Sequence, residues 1–69
     1  MPRVRATDLQ RGQRFRLLAS WSDDDGGTID QTTKLVALEV VSDGPWIRIR
    51  LEDGRTVSLG QDETVDVDG

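Results

Sequence analysis

Apolar and polar residues alternate through residues 36–59, and this alternation constrains the fold more than any other feature of the chain. Successive side chains of a β-strand point to opposite faces, so an alternating segment predicts a strand with one buried face. Across 46–51 the pattern assigns three inward and three outward positions: Ile47, Ile49 and Leu51 inward, and Trp46, Arg48 and Arg50 outward. Across the preceding segment it assigns alternate apolar residues to the core and an acid to solvent: Val36, Leu38 and Val40 inward, and Glu39 outward. Two strands of one antiparallel sheet are therefore predicted.

A four-residue connection, from Ser42 to Pro45, is predicted between these two strands. With this loop the inward residues meet only inward residues: Val40 faces Ile47, Leu38 faces Ile49 and Val36 faces Leu51. The outer face then gains an opposite-charge pair and an aromatic–aliphatic pair: Glu39 with Arg48, and Val41 with Trp46.

The dipeptide Asp53-Gly54 marks the next turn. A two-residue primed turn there would pair Leu51 with Thr56 and so mix core positions with solvent positions. A three-residue loop, with Gly54 as a left-handed bulge after a type I turn, restores the match between core positions. Its register pairs Ile49 with Val57 and Ile47 with Leu59.

Five main strands are predicted in all: 13–21, 34–42, 46–51, 55–60 and 64–68. The first carries its core face on alternate residues: Phe15, Leu17, Ala19 and Trp21. The last places Val65 and Val67 inward, after a short turn at residues 60–64 that Asp62 is able to cap.

The N-terminal segment leads into the first main strand through a predicted helical turn. Residues 1–6 form either a loose arm or a short strand of their own. Thr7 or Asp8 caps a helical turn that ends at Gly12, where a positive φ returns the chain to an extended conformation. Leu9 is expected to lie beneath the sheet.

Residues 22–33 are polar, with three consecutive aspartates and two glycines near their centre, and predict a long, mobile acidic loop anchored by Ile29. No frame through this stretch supplies the alternating ligands, the sixth-position glycine and the twelfth-position glutamate of a calcium-binding EF-hand loop. We therefore predict a solvated loop and no metal site. At its start, Trp21 either plugs the end of the core or projects as a contact residue.

Length and composition narrow the classes of protein. With 69 residues the chain has room for one domain, residues 1–69, near the lower size limit for independent folding, so a partner or a second copy is expected to add buried surface. Cysteine and histidine are absent, and no apolar run is long enough for a signal peptide or a membrane span, which favours a cytoplasmic protein without disulfides or cofactors. The net charge of −4 argues against a dedicated duplex-DNA binder.

The strand and loop lengths, together with the Leu9, Gly12 and Phe15 pattern, resemble the SH3-like small β-barrel. The fold class implied is all-β, a small five-stranded barrel with one long acidic loop between its first two main strands. Gly12 and the pair Gly26-Gly27 also resemble the nucleic-acid-associated KOW modules, although the loop here carries aspartates and no basic residue. The alternative, an OB-type barrel, would need a longer chain and a helix that no periodic segment provides.

The candidate site is the outer face of the central hairpins. Exposed aromatic and arginine side chains are typical anchors of protein interfaces, and the predicted contact residues are Trp46, Arg48, Arg50, Val41 and Leu35. A purely structural role for Trp46, packed across Val41, is the competing interpretation. We predict a non-enzymatic protein-interaction module, of the size and arginine-rich composition of a phage-type accessory or inhibitory protein.

The alternative function is nucleic-acid binding. It would use a stripe of stacking and phosphate-binding side chains, provided that the first and third main strands expose them side by side: Arg14, Arg16, Arg48, Arg50 and Trp46. No catalytic constellation is found, since the acids and the single lysine lie in segments that predict no buried pocket.

Overall fold

The computed structural model describes residues 2–68, and in this part of the chain it is all-β with antiparallel pairing, as predicted. Eight strands and one 3₁₀ turn are described, in this order: β1 (Arg3–Arg5), the turn Ala6–Asp8, β2 (Arg14–Leu17), β3 (Trp21–Ser22), β4 (Thr28–Ile29), β5 (Leu35–Asp43), β6 (Trp46–Leu51), β7 (Thr56–Gly60) and β8 (Thr64–Val67). The prediction of five strands was wrong: β1 lies where an arm or a short strand was expected, the predicted strand 13–21 is divided between β2 and the start of β3, and β4 lies in the predicted loop. No helix in these residues is long or apolar enough to cross a bilayer.

Six strands form one sheet in the order β1-β8-β2-β5-β6-β7, and β3 pairs with β4 in a separate hairpin. The order is linear, with β1 and β7 at the two edges, so the strands of residues 2–68 do not close into the predicted barrel. Residues 3–5, for which a loose arm and a short strand were both open, form β1 and pair with β8.

The hairpin between β6 and β7 has the predicted register. Ile49 lies opposite Val57, and Gly54 has a φ of +96° after a turn closed by its N–H on the Leu51 carbonyl, at 3.0 Å. Arg55 then returns a hydrogen bond to the Asp53 carboxylate at 2.7 Å. This bond holds the pKa of Asp53 below its ordinary value and raises that of Arg55.

The hairpin between β5 and β6 differs from the prediction. Its turn contains two residues and not four, because Gly44, at a φ of +61°, takes the positive-φ position of a tight primed turn and Asp43 already pairs with Trp46. Val40 consequently lies opposite Ile49, two positions along β6 from the predicted Ile47.

A β-bulge between Ala37 and Glu39 reverses the inward and outward phase of β5 before it, whereas the shift of two positions at the turn leaves the phase unchanged. Before the bulge the buried residues are Leu35 and Ala37, and not Val36 and Leu38, which is 41% exposed. The sequence was ambiguous here, since residues 35–38 are all apolar and the pattern of this segment alone fits either phase.

One apolar cluster fills the inner face of the sheet. Its members come from every main strand and from three flanking positions: Ala6, Leu9, Phe15, Leu17, Ile29, Leu35, Ala37, Ile47, Ile49, Leu51, Val57, Leu59, Val65 and Val67. The predicted inward residues of β6, β7 and β8 are all in it, as are Leu9 and Ile29. Ala19 is exposed, because β2 ends at Leu17 and the chain bends before Trp21.

The segment before β2 contains the predicted helical turn, but this turn begins at Ala6, before both of the predicted capping residues. The 3₁₀ turn spans Ala6–Asp8 without a side-chain cap, so capping by Thr7 or Asp8 was wrong: both residues lie inside the turn. Gly12 has a φ of +84°, as predicted, and donates to the Ala37 carbonyl at 2.6 Å. This contact is the point at which the chain enters β2.

Candidate protein-interaction site

Trp46 follows the tight Gly44-Pro45 turn and lies on the outer face of the sheet, as the alternation predicted. Its residue surface is 51% exposed, and Arg48, two positions along the strand, points the same way. Ser58 of β7 lies opposite Arg48. The outer faces of β6 and β7 therefore form a floor with an indole at one end.

The β3–β4 hairpin forms a wall beside this floor. The Trp21 indole N–H donates to the Ser58 carbonyl at 2.9 Å, and the Asp24 N–H donates to the Thr56 carbonyl at 2.8 Å. The Ser58 hydroxyl donates in turn to the Asp24 carboxylate at 3.1 Å. These bonds attach the hairpin to the edge of β7.

Asp23 organises the tip of the hairpin, where a loop without regular structure was predicted. Its carboxylate is buried and accepts the N–H groups of Asp25 at 2.9 Å and Gly27 at 2.8 Å. A Cβ at Gly27 would lie 2.7 Å from the Asp23 carboxylate, so only glycine fits there without a shift. Residues 23–27 thus form a turn between β3 and β4 that is stabilised by charge-assisted hydrogen bonds.

The three consecutive aspartates do not converge. Asp23 binds backbone amides and Asp24 binds Ser58, while Asp25 is exposed. Among residues 2–68, no group of three or more potential metal ligands lies close enough together to hold a metal ion.

Between the two indoles lies an open groove of about 590 Å³. It is lined by Ser20, Trp21, Ser22, Asp43, Trp46, Arg48 and Ser58. Trp21, for which a core plug and a contact residue were both considered, is half-buried against the core and also lines the groove. Two aromatic surfaces bordered by hydroxyl groups offer apolar contact area together with hydrogen-bonding atoms.

The charged pair on the groove floor is Arg48 with Asp43, at 3.0 Å. A bond from Arg48 to Glu39 had been predicted, and the two-residue turn explains the change of partner because it brings Asp43 into the strand beside Trp46. Both side chains of the pair are more than half exposed, so their attraction is weak and a ligand could replace either partner at low cost.

The other predicted contact residues divide into two groups. Val41 is 44% exposed on the outer face opposite Arg48, and Arg50 is exposed opposite Glu39. Leu35 is 3% exposed and belongs to the core, so its prediction as a contact residue was wrong. The bulge in β5 is the physical reason, since it puts the residues before it in the opposite phase.

The predicted arginine stripe is split between two parts of the sheet. Arg14 and Arg16 lie on β2, while Arg48 and Arg50 lie on β6, with β5 between the two strands. Arg16 pairs with Asp66 of β8 on the side of β2 away from β5, where Arg3 also bridges Asp66 at 3.2 Å. The two pairs of arginines therefore do not adjoin.

Asp43 is the groove residue that sequence reasoning missed as a site residue. It was assigned to a loop, although a glycine at position 44 can take the first central position of a two-residue primed turn, which would extend the strand to Asp43. Ser20 and Ser22 carry no comparable signal, because they reach the groove only through the bend of the chain around Trp21.

Comparisons of the chain with models of protein families, with curated proteins and with solved structures find no match.

Proposed function

We propose that the protein is a non-enzymatic protein-interaction module that binds its partner in the groove between Trp21 and Trp46. The observation that carries the proposal is the half-exposed indole of Trp46 at the edge of that groove. A tryptophan whose ring remains partly in water loses unfavourable hydration when a partner covers it, and tryptophan is among the residues that contribute most to protein interfaces.

The surroundings of Trp46 support an interface over a catalytic site. The ionisable groups of the groove, Asp43 and Arg48, bond to each other and are both more than half exposed. General acid–base catalysis usually needs a group tuned by burial or by a neighbouring charge. An exposed ion pair at the edge of an aromatic groove is instead typical of the polar rim around a hydrophobic contact.

In this proposal the chain is an SH3-like module, cytoplasmic, and an accessory or inhibitory protein of the kind that phages encode. The bulged hairpin at Gly54 and the short turn before β8 support the fold assignment, although the strands of residues 2–68 do not close into a barrel. The partner is another protein or a second copy of this chain.

The test compares Trp46→Ala with Leu38→Ala in a pull-down from the source cells, followed by mass spectrometry. Leu38 is the matched control, because it is also a large exposed apolar residue and does not line the groove. We expect the wild type and Leu38→Ala to retain a common partner and Trp46→Ala to lose it. Equal retention by both variants, with native circular dichroism, would remove the groove from the interface.

An oligonucleotide titration covers the alternative function. Labelled single- and double-stranded oligonucleotides are titrated at low and moderate salt against the wild type and against the double variant Arg48→Glu, Arg50→Glu. Binding that weakens with salt and disappears in the variant would replace the protein-interaction proposal, because phosphate contacts give that salt dependence.

A further inference from the structure

The strand β5 is longer than the neighbour that covers one of its sides. On the β2 side, pairing joins Arg14 to Val36 and Phe15 to Leu35, and the last bonds are those that Ala37 makes with Gly12 and Gln13. The positive φ of Gly12 then turns the chain away from the sheet. Within residues 2–68, no strand pairs with β5 beyond Ala37 on this side.

The register identifies which backbone groups face this open side. The Leu51 N–H donates to the Arg55 carbonyl, so the odd-numbered residues of β6 bond to β7 and the even-numbered ones bond to β5. Their partners on β5 are residues 39, 41 and 43. The N–H and C=O groups of Val40 and Ser42 therefore point away from β6 in the plane of the sheet, where they present two hydrogen-bond donors and two acceptors.

The outward-facing carbonyls of the edge strand β7 differ from those of β5, because they have hydrogen-bond partners. Three carbonyls of β7 that face outward each accept a hydrogen bond from a group outside the strand: Thr56 from the Asp24 N–H, Ser58 from the Trp21 indole and Gly60 from the Glu63 N–H. Exposed strand edges attract other strands, and natural proteins usually block them. The outward carbonyls of β7 are therefore occupied, whereas no strand of residues 2–68 pairs with residues 40–42 on the β2 side.

The side chains along the open segment indicate the chemistry of a partner strand. Glu39, Val41 and Asp43 are exposed on the same outer face, which places an aliphatic residue between two carboxylates. A partner strand with a basic residue opposite each acid and an aliphatic residue opposite Val41 would match this pattern, since cross-strand pairs of these kinds are favourable.

A second copy of the chain matches the side-chain pattern of residues 39–43 less well than a basic segment does. Antiparallel self-pairing centred on Val41 would place Glu39 of one copy opposite Asp43 of the other, and each copy carries a net charge of −4. Like charges directly opposite each other destabilise a strand pair.

We propose that the open edge of β5 binds an extended, basic segment of the partner protein by main-chain hydrogen bonds to Val40 and Ser42. The inference rests on the proposed function and deepens it, because Asp43 belongs both to the open segment and to the groove floor. A segment added along this edge lies next to the groove that contains Trp46. Adding a strand to an exposed edge is one of the recurring modes of peptide recognition.

The test begins with random peptides displayed on phage and selected on the full chain. We expect the selected peptides to carry lysine or arginine on both sides of an aliphatic residue, at alternate positions. Their affinity is measured for Ser42→Pro, which removes an outward N–H without touching a β5–β6 bond, and for the control Ser42→Thr, which keeps it. We expect at least about a tenfold loss in the proline variant, about 1.4 kcal/mol, and wild-type affinity in the control.

A measurement on the unmodified chain guards against a proline variant that fails to fold. Adding a selected peptide is expected to protect the Val40 and Ser42 amides from hydrogen exchange. A peptide that is N-methylated at the alternate residues whose N–H groups would face β5 is expected not to bind. Unchanged exchange at both amides with the peptide bound would overturn the proposal.

The outcomes separate this inference from the proposed function. If the selected peptide binds Ser42→Pro but not Trp46→Ala, the proposal that the edge of β5 binds the partner is overturned and the groove proposal stands. If the selected peptide binds Trp46→Ala with wild-type affinity but no longer binds Ser42→Pro, the edge proposal is supported and the groove proposal is overturned. Failure to select basic peptides overturns the edge proposal. A dimer in analytical ultracentrifugation that Ser42→Pro dissociates would also overturn it, because a second copy would then be the occupant.

Discussion

Replacing Trp46 and Ile49 separately by alanine tests the alternation that defines the site. The two residues lie on one strand and face opposite sides of the sheet: Ile49 is 0% exposed and Trp46 is 51% exposed. Truncating a buried isoleucine costs about 2–5 kcal/mol, because the transfer energy is lost and a cavity remains. A half-exposed side chain loses about half of the roughly 1.5–3 kcal/mol that full burial contributes, so Trp46→Ala is expected to cost about 1 kcal/mol.

Urea unfolding followed by circular dichroism measures both costs. For a domain of this size, 1 kcal/mol corresponds to about 4–8 °C in melting temperature, so a thermal scan provides a second estimate. We expect Trp46→Ala to fold with a modestly lowered midpoint and Ile49→Ala to lose at least about twice as much free energy of unfolding. A Trp46→Ala variant that is as unstable as Ile49→Ala would refute the assignment of the indole to a binding surface, because its role would then be structural.

Three further substitutions test local features, each by urea unfolding. Gly54→Ala is expected to cost about 1 kcal/mol, since a left-handed alanine costs about 1–2 and the stiffer unfolded chain returns about 0.4–1; no loss would contradict the bulged turn. Asp23→Ala is expected to cost about 1–3 kcal/mol through its two charge-assisted bonds, against less than about 0.5 for the exposed control Asp25→Ala. Because Arg55 lowers the pKa of Asp53, that pair stabilises the fold above the ordinary carboxylate pKa and loses its contribution as the pH falls through the lowered value. Asp53→Asn should therefore slightly flatten the acid side of the stability–pH curve, since the pair is partly exposed to solvent, and an unchanged slope would contradict this.

The sequence was sufficient to predict the buried face and the pairing register where one alternate set of residues was clearly more apolar than the other. In β6 and β7 every second residue is apolar and the residues between are polar or, at Trp46, amphipathic, so the faces and the register at Gly54 followed directly. Exposure of Trp46 was predicted for the same reason, and the structure agrees.

The sequence was insufficient where both phases were apolar. Residues 35–38 are all apolar and allow either face to be buried, and the choice depends on a bulge that local pattern does not encode. The misplacement of Leu35 on the surface follows from that ambiguity. The β3–β4 hairpin could not be predicted for a different reason: it depends on bonds from Trp21 and Asp24 to β7, which is more than thirty residues away along the chain.

The groove itself depends on both kinds of information. Trp46 and Arg48 come from the alternation, whereas Trp21 is brought opposite them by tertiary hydrogen bonding. A single sequence can therefore indicate the floor of the site, but the wall requires the fold.

Fluorine NMR of the chain labelled with fluorotryptophan tests the central claim most directly, because each indole gives its own resonance and Trp21→Phe assigns them. The bound species is the partner recovered by the pull-down or a peptide selected on the chain. The account predicts that binding shifts the Trp46 resonance and reduces its solvent isotope effect, since the exposed half of the ring becomes covered. Binding with the Trp46 resonance unchanged in position and still fully sensitive to solvent would contradict it.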